Sequence, residues 1–573
     1  MTRKIIKKLK YAGILNINYL VLVVAILMSG AILFKLFSLQ ILNADSFIIQ
    51  EKLYKIIPLR GNIYVRDKDG NLFPVALSYY LYDLYFYPPK SSNVKQELDK
   101  LAEVLKTNLD IDEKKINSKT SFILKKDLTI EEKNKLEQLK FDSIFFETKI
   151  ARKYPLKNFL SSVLGFARFD VNSGLLVGQY GLERHYDNFL KGEIGYKSDK
   201  QIIKNPIKGS DLVLNIDYYV QAKSEAILEE AVKQYKAEGG LILVSEVKTG
   251  NIIAAAELPN YDLNNFNKIN DYSLFISRLS KTYEPGSVMK PFFYAGAFAE
   301  GLASPSSTYN DLGYVILDGW RIENFDHKGR GVVTLQTALE QSLNTGSVYV
   351  FQLLGKMNFL KYINLFRLNQ IAEVDFPILE KPNFNNLSNP GRNANFGTAS
   401  FGQGISLSPL NLIQSFNVFA NRGSLVKLNF VNKIILPNSS VIKNEPQIIS
   451  NNILDDKTLN TIMPILEGVI KNQAKKARIS GYNVAGKTGS ALLPYSKMSI
   501  NGMSGYSDQV ITNFIGFLPA SNPLYIVLVR LDKPDKGLLA FGTAAPTFKK
   551  IAEFLINYYN IEPDAPEELT KNF

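Results

Sequence analysis

The sequence predicts an α/β chain: two folded domains behind an N-terminal membrane anchor, the second built on an antiparallel sheet with a cluster of helices. Three observations carry this. The apolar runs Leu241–Val247, Asn251–Ala256, Val510–Phe517 and Tyr525–Leu531 have strand length and sit at the two ends of the C-terminal half. The segment between the two pairs reads as helical, so first and last segments share one sheet with helices inserted between them. An apolar run from Tyr19 through Phe34 follows a basic N-terminus.

At 573 residues the chain exceeds one ordinary domain, and 46% hydrophobic with 21% charged residues is the composition of a folded protein. It has no cysteine, which excludes disulfides, thiolate metal sites and thiol catalysis. The two histidines, His185 and His327, rule out a three-histidine zinc site and make a histidine triad hard to build. His327 lies in Asn324–Gly329, which reads as a surface loop, and no metal or cofactor is expected. A formal charge of +13 without a basic-aromatic recognition motif favours membrane lipid or an anionic wall polymer over nucleic acid.

Taken in order, Arg3, Lys4, Lys7, Lys8 and Lys10 precede the apolar run, and Ile14, Leu15 and Ile17 extend it towards the ~20 residues of a spanning helix. Basic charge on that flank places residues 1–13 in the cytoplasm, a single anchor at 14–37 in the plasma membrane, and the remainder outside. No small-residue cleavage site follows, and Phe37–Leu42 continues in helical style, so an uncleaved anchor is expected. Residues 38–225 read as an elongated α+β pedestal without a catalytic constellation, a spacer and interaction domain. Tyr79–Tyr87 is strand-like, Val94–Lys106 and Thr129–Leu139 are helical, and Thr129 with Glu132 forms a capping pair. The second domain, 226–563, is led in by a helix near Tyr218–Tyr235. Its first two strands form a hairpin through Lys248-Thr249-Gly250. Tyr525–Val529 is apolar at successive positions and should be central, covered on both faces. A helix over Pro546–Tyr559 closes the domain before a tail at 564–573.

Three motifs in this second domain carry chemistry: Ser287-Val-Met-Lys290, Ser342-Leu-Asn344 and Lys487-Thr488-Gly489. Look-alikes exist at Ser245–Lys248, Ser440–Lys443, Ser415–Asn417 and Lys248–Gly250, so order and context do the sorting. Pro291 is tolerated only in a first helical turn, which starts a helix near Ser287 with Pro285 and Gly286 as lead-in, and Lys290 then shares its face. The pattern is a serine acyl-transfer site that works without histidine. Lys290, kept neutral by burial and by the charge of Lys487, is the base for the Ser287 nucleophile. Ser342 relays a proton to the leaving amine and Asn344 holds the substrate amide. Tyr482–Ala485 reads as a strand leading into Lys487, Thr488 and Gly489, which offer an edge to an extended peptide and attract its carboxylate. The backbone N–H groups of Ser287 and Ser490 are the expected oxyanion donors.

Together these motifs resemble those of a class B penicillin-binding protein, a monofunctional peptidoglycan D,D-transpeptidase. The likeness runs from about Arg60 to Pro563: Arg60–Tyr64 resembles the opening motif behind the anchor, Gly181–Asp187 with Leu190–Gly192 the second non-catalytic signature, and Phe401–Gly404 and Asn513–Phe517 further transpeptidase blocks. Val65–Gly70 departs from the family's pattern, and Ser490 stands where threonine is common. The resemblance implies peptidoglycan stem peptides as substrate and acylation by β-lactams. It also implies a SEDS-family membrane glycosyltransferase as partner, within a division or elongation complex. The Glu284–Lys290 segment resembles the septal branch more than the elongation branch. A D,D-carboxypeptidase, a β-lactamase or a non-catalytic β-lactam-binding scaffold would share the fold. No water-activating group for rapid deacylation is assignable in the sequence, so a long-lived penicilloyl adduct is expected.

Overall fold

The computed structural model describes residues 2–38, 53–109, 112–198, 201–377, 380–388, 391–495 and 505–566, with side chains from residue 19 onward. The expected helical continuation at Leu39–Leu42 and most of the C-terminal tail lie outside the described residues. A helix spans Thr2–Phe37, and its Tyr19–Phe37 portion, with a mean hydropathy of 2.6, is long and apolar enough to cross a membrane. It belongs to one compact unit, together with a small antiparallel sheet of Tyr54–Ile56, Gly195–Lys197 and Ile202–Lys204. The second unit contains Leu59–Gly192 and everything described from Lys208 on.

Within the second unit the N-terminal region is built on a seven-stranded sheet. The long strand Leu72–Phe86 pairs with Ile63–Arg66, Phe122–Leu128 and Ile144–Lys153. The expected helices fall at Val94–Leu105 and Ile130–Glu137, the latter opened by the reciprocal Thr129–Glu132 capping box. Two strands join this sheet from further down the chain. Asp211–Asp217 runs parallel to Ile63–Arg66, and on its other side pairs with Val431–Ile435, which turns back through Pro437–Ser439 into Val441–Lys443. The look-alike Ser440–Lys443 therefore lies at the edge of this sheet, whereas Lys487-Thr488-Gly489 lies in a different one.

The catalytic half is organised by a five-stranded antiparallel sheet in the order Ile252–Leu258, Gly239–Glu246, Tyr525–Asp532, Tyr506–Leu518, Ala485–Pro494. Tyr525–Asp532 is central, as its unbroken apolar run requires, and its side chains alternate between two cores. Val527 and Val529 join Ile242 and Val244 beneath the helices Tyr218–Tyr235 and Ala544–Tyr559. Ile526 and Leu528 join Leu241 and Leu243 against the inserted helices, where Phe292 and Phe416 are fully buried. Two more look-alikes are accounted for here. Ser415 and Asn417 bond the carbonyls of Phe366 and Val247 from a wholly buried helix, Pro409–Ala420, and Thr249 caps a hairpin turn on Glu246. The strand expected at Tyr482–Ala485 begins only at Ala485. Residues 482–484 are instead held by the segment after the last helix, through Tyr482 Oη to Ile561 O and Asn483 N to Asp564 Oδ1.

A buried ion network ties together the two non-catalytic signatures. Glu183, fully buried, receives Arg60 Nε at 2.8 Å and Arg152 NH2 at 2.7 Å, with Tyr154 Oη at 3.1 Å. Arg60 also reaches Asp187 at 2.7 Å and the carbonyls of Leu176 and Glu183. Burial by itself would push the Glu183 carboxyl up, but Arg152 and Arg60 outweigh it and hold the group below the ordinary range. These side chains are internal supports; they do not present themselves to a docking partner. Removing one member strands the others as buried charges, so Glu183→Ala should lower unfolding stability in urea by about 3–5 kcal/mol. Because the folded-state pKa is depressed, the network's contribution should be full above about pH 4.5 and fall away as acid protonates Glu183. An unchanged midpoint in Glu183→Ala would contradict this account.

Candidate active site

The nucleophile motif is carried by a break in the backbone. Gly286 takes a left-handed φ of +65° and opens a 3-10 turn, Gly286–Met289, that holds Ser287; the α-helix proper starts one turn later than expected, at Lys290. Pro291 occupies its first turn, where no backbone N–H is needed, and Phe292 through Ala297 bury the helix all round. Ser287 is left half-buried on a cavity wall while Lys290 is fully buried beneath it.

The second motif is placed by strain. Ser342 sits between the helices Leu335–Glu340 and Asn344–Leu365 with a φ of +60°, a conformation that costs a β-carbon-bearing residue roughly 1–3 kcal/mol. Backbone bonds from Ser342 N to Leu339 O and Leu343 N to Ala338 O fix the turn. A buried pair beneath it was invisible in the sequence: Asn324 donates to both oxygens of Asp311 and accepts from the backbone N–H groups of Asn344 and Thr345. Asn344 itself accepts from Lys290 Nζ at 2.9 Å and donates to Glu323 O at 2.9 Å. A carboxamide has two donors and two acceptor positions, so one of each is left for substrate. His327, in the surface loop beyond, sets its ring against Glu323 at 3.0 Å.

The third motif lies within the edge strand Ala485–Pro494, not after it, so its free edge faces the nucleophile turn. Close approach requires glycine here. A β-carbon on Gly489 would come within 2.7 Å of Pro285 O and 2.9 Å of Asn513 Oδ1, while Asn513 Nδ2 donates to Pro285 O at 3.1 Å and clamps turn to sheet. Ser490, one residue on, accepts from Ala540 N through its hydroxyl, tethering the Leu539–Phe541 segment that lines the cavity.

The eight expected site residues thus come together at one place. Ser287, Ser342, Asn344, Thr488 and Ser490 line the cavity with Phe325, Gln403 and Phe541, and the two lysines lie behind them. Lys290 Nζ bonds Ser342 O at 2.6 Å and approaches Ser342 Oγ at 3.4 Å, while Lys487 Nζ donates to the same hydroxyl at 2.9 Å. Both ammonium groups are driven towards neutrality. Burial, and then the neighbouring Lys487 charge, push Lys290 well below the ordinary lysine value; burial pushes Lys487 down to about 7. No local pattern marked Gln473, which follows the helix Asp456–Asn472 and accepts the Thr488 hydroxyl at 2.8 Å. Chemically the arrangement can deprotonate a serine, stabilise an adjacent anion and hold an extended chain along a strand edge.

Comparison with known proteins agrees with this geometry. Residues 240–553 match the penicillin-binding protein transpeptidase domain, and residues 55–214 the penicillin-binding protein dimerisation domain. The chain belongs to the penicillin-binding protein family whose transpeptidase domain follows a dimerisation domain. It is 28% identical to stage V sporulation protein D of Bacillus subtilis, covering 94% of this chain and 86% of that one. It is 26% identical to a probable peptidoglycan D,D-transpeptidase of Pseudomonas aeruginosa, PbpC, over 95% of both chains. Among solved structures, penicillin-binding protein 2X of Streptococcus thermophilus superposes with a TM-score of 0.77 at 21% identity, covering 88% of this chain and 80% of that one.

The tight contact at Gly489 yields a direct test. Gly489→Ala should force the edge strand off the nucleophile turn and slow penicillin acylation at least about tenfold, with overpacking costing ~1–3 kcal/mol of stability. Stopped-flow acylation and urea unfolding would measure the two effects; wild-type values in both would show that the contact is not tight.

Proposed function

We propose that the chain cross-links peptidoglycan as a serine D,D-transpeptidase, the activity named for its Pseudomonas relative and for a Buchnera aphidicola relative, peptidoglycan D,D-transpeptidase FtsI, 26% identical over 75% of this chain. The observation that carries this is the convergence of two buried lysines on Ser342 beside Ser287 and the free edge of the Lys487–Ser490 strand. A donor stem peptide lies along that edge with its terminal carboxylate near Thr488. Ser287 Oγ attacks the carbonyl of the penultimate residue and passes its proton to neutral Lys290, and the N–H groups of Ser287 and Ser490 receive the oxyanion. Lys290 now bonds Ser342 and Asn344, and substrate binding brings the Ser287 hydroxyl into its reach. Collapse of the tetrahedral adduct breaks the peptide bond, the departing amine gaining a proton through Ser342. An acceptor amine then attacks the ester, returns the proton to Ser287 Oγ and forms the cross-link. A β-lactam acylates Ser287 by the same first step, its ring amide opening in place of the peptide bond.

The domain arrangement supports a wider reading. Residues 38–225 act as a pedestal and 226–563 as the catalytic domain. The apolar N-terminal helix anchors the protein once in the cell membrane, with its basic end in the cytoplasm and the bulk outside. Held there, the catalytic domain works beside a SEDS-family glycosyltransferase that supplies the glycan strands, in a division-type complex. Removing residues 2–38 should leave penicillin labelling intact and abolish complementation of wall synthesis in cells. Full complementation by the unanchored protein would overturn the membrane-coupled reading.

Labelled penicillin should mark the wild type and leave Ser287→Ala unmarked, and Lys290→Ala should acylate at least about a hundredfold more slowly for want of a base. The adduct should persist, so a chromogenic β-lactam turns over only stoichiometrically. With an acceptor amine present, cross-linked product should exceed hydrolysed donor; hydrolysis alone would reassign the chain as a carboxypeptidase, and labelling of Ser287→Ala would sink the assignment of the nucleophile.

A further inference from the structure

Gln473 stands outside all three motifs yet touches one of them inside the cleft. It is the first residue after the helix Asp456–Asn472, and its backbone N–H closes that helix on Val469 O. Its Oε1 accepts the Thr488 hydroxyl proton at 2.8 Å, and its Nε2 lies at the outer limit of a hydrogen bond, 3.5 Å from Gln341 O. The side chain therefore spans the gap between the second motif and the third, and it lines the cavity with Ser287, Ser342 and Thr488.

Hydrogen-bond arithmetic gives this placement a consequence. The Thr488 hydroxyl has one proton, and Gln473 takes it. Lys487 Nζ directs its contacts to Ser342 Oγ, Thr488 O and Thr488 Oγ1, and it lies buried behind the strand. In this arrangement the two groups expected to attract a carboxylate have their donors turned inwards. The Gln473 amide, one N–H of which is held only by a bond at the limit of contact, lines the cleft beside the Asn344 carboxamide and can turn a donor towards a ligand there.

We propose that Gln473 is a specificity residue whose Nε2 donates to the terminal carboxylate of the donor peptide, and to the corresponding carboxylate of a β-lactam, while its Oε1 fixes the Thr488 hydroxyl. This rests on the transpeptidase reading and deepens it. The amide adds a neutral donor beside two buried lysines that burial drives towards neutrality, so carboxylate recognition here does not depend wholly on charge.

The test uses the full chain and two probes, benzylpenicillin and its methyl ester, which differ in the carboxylate alone. Gln473→Glu keeps the acceptor for Thr488 and removes the donor; Gln473→Ala removes both. Both variants should lose about tenfold or more in second-order acylation by benzylpenicillin, the loss falling on the affinity of the non-covalent complex with the limiting rate unchanged. Acylation by the methyl ester should change less than about twofold. Equal slowing with both probes would make Gln473 a structural prop, and unchanged rates with benzylpenicillin would remove it from the site; either overturns the proposal. A wild type acylated by neither probe would instead refute the underlying functional reading.

Discussion

Two fully buried lysines, each pushed towards neutrality by burial, meet at one serine hydroxyl, and the catalytic half of this molecule is arranged around that meeting. Lys290 and Lys487 arrive from a helix and a strand far apart in sequence and meet at Ser342, which is held in left-handed backbone to receive them. Burial, which disfavours the charged form, is the larger push on both lysines, and the Lys487 charge adds to it at Lys290. In the proposed mechanism this gives Ser287 a base without a histidine, and the structure around the lysines shows strained turns, glycine contacts and a closely packed helix.

Much of the surrounding structure holds this arrangement in place. Asn513 clamps the edge strand to Pro285, and Gly489 lets the strand come close enough for the clamp to form. The Asp311–Asn324 pair fixes the start of the helix that carries Asn344. Below, the sheet shared by the N-terminal region and the Val431–Lys443 hairpin joins segments that the sequence places in different domains. The buried Arg60–Glu183–Arg152 network braces that region from within.

Features encoded locally were legible in the sequence. The Thr129–Glu132 cap, the Lys248–Gly250 turn, the doubly covered strand Tyr525–Asp532 and the helix around Pro291 all follow from turn chemistry, periodicity and proline geometry within a few residues. The motif residues were legible because three weak patterns in one order reinforce each other. What escaped has no local signature. Gln473 and Asn324 gain their meaning from contacts 15 and 20 residues away, and nothing in Asn472-Gln473-Ala474 marks a cleft residue. Tyr482–Val484 looked like strand because its residues suit one, yet bonds to Ile561 and Asp564 hold it in a different conformation. The hairpin at 431–443 joins the N-terminal sheet by a long-range choice that no local pattern marks.

The coupled lysines are tested most directly by the pH dependence of penicillin acylation in the wild type and in Lys487→Gln. With Lys290 depressed, its neutral form is present above a folded-state pKa well under 10.5, so the rate should rise with pH on an acid limb in that lower range. Replacing Lys487 removes the neighbouring charge, so the Lys290 pKa should rise and the limb should move to higher pH. A limb near the ordinary lysine value in the wild type, or one that stays in place in Lys487→Gln, would contradict the account.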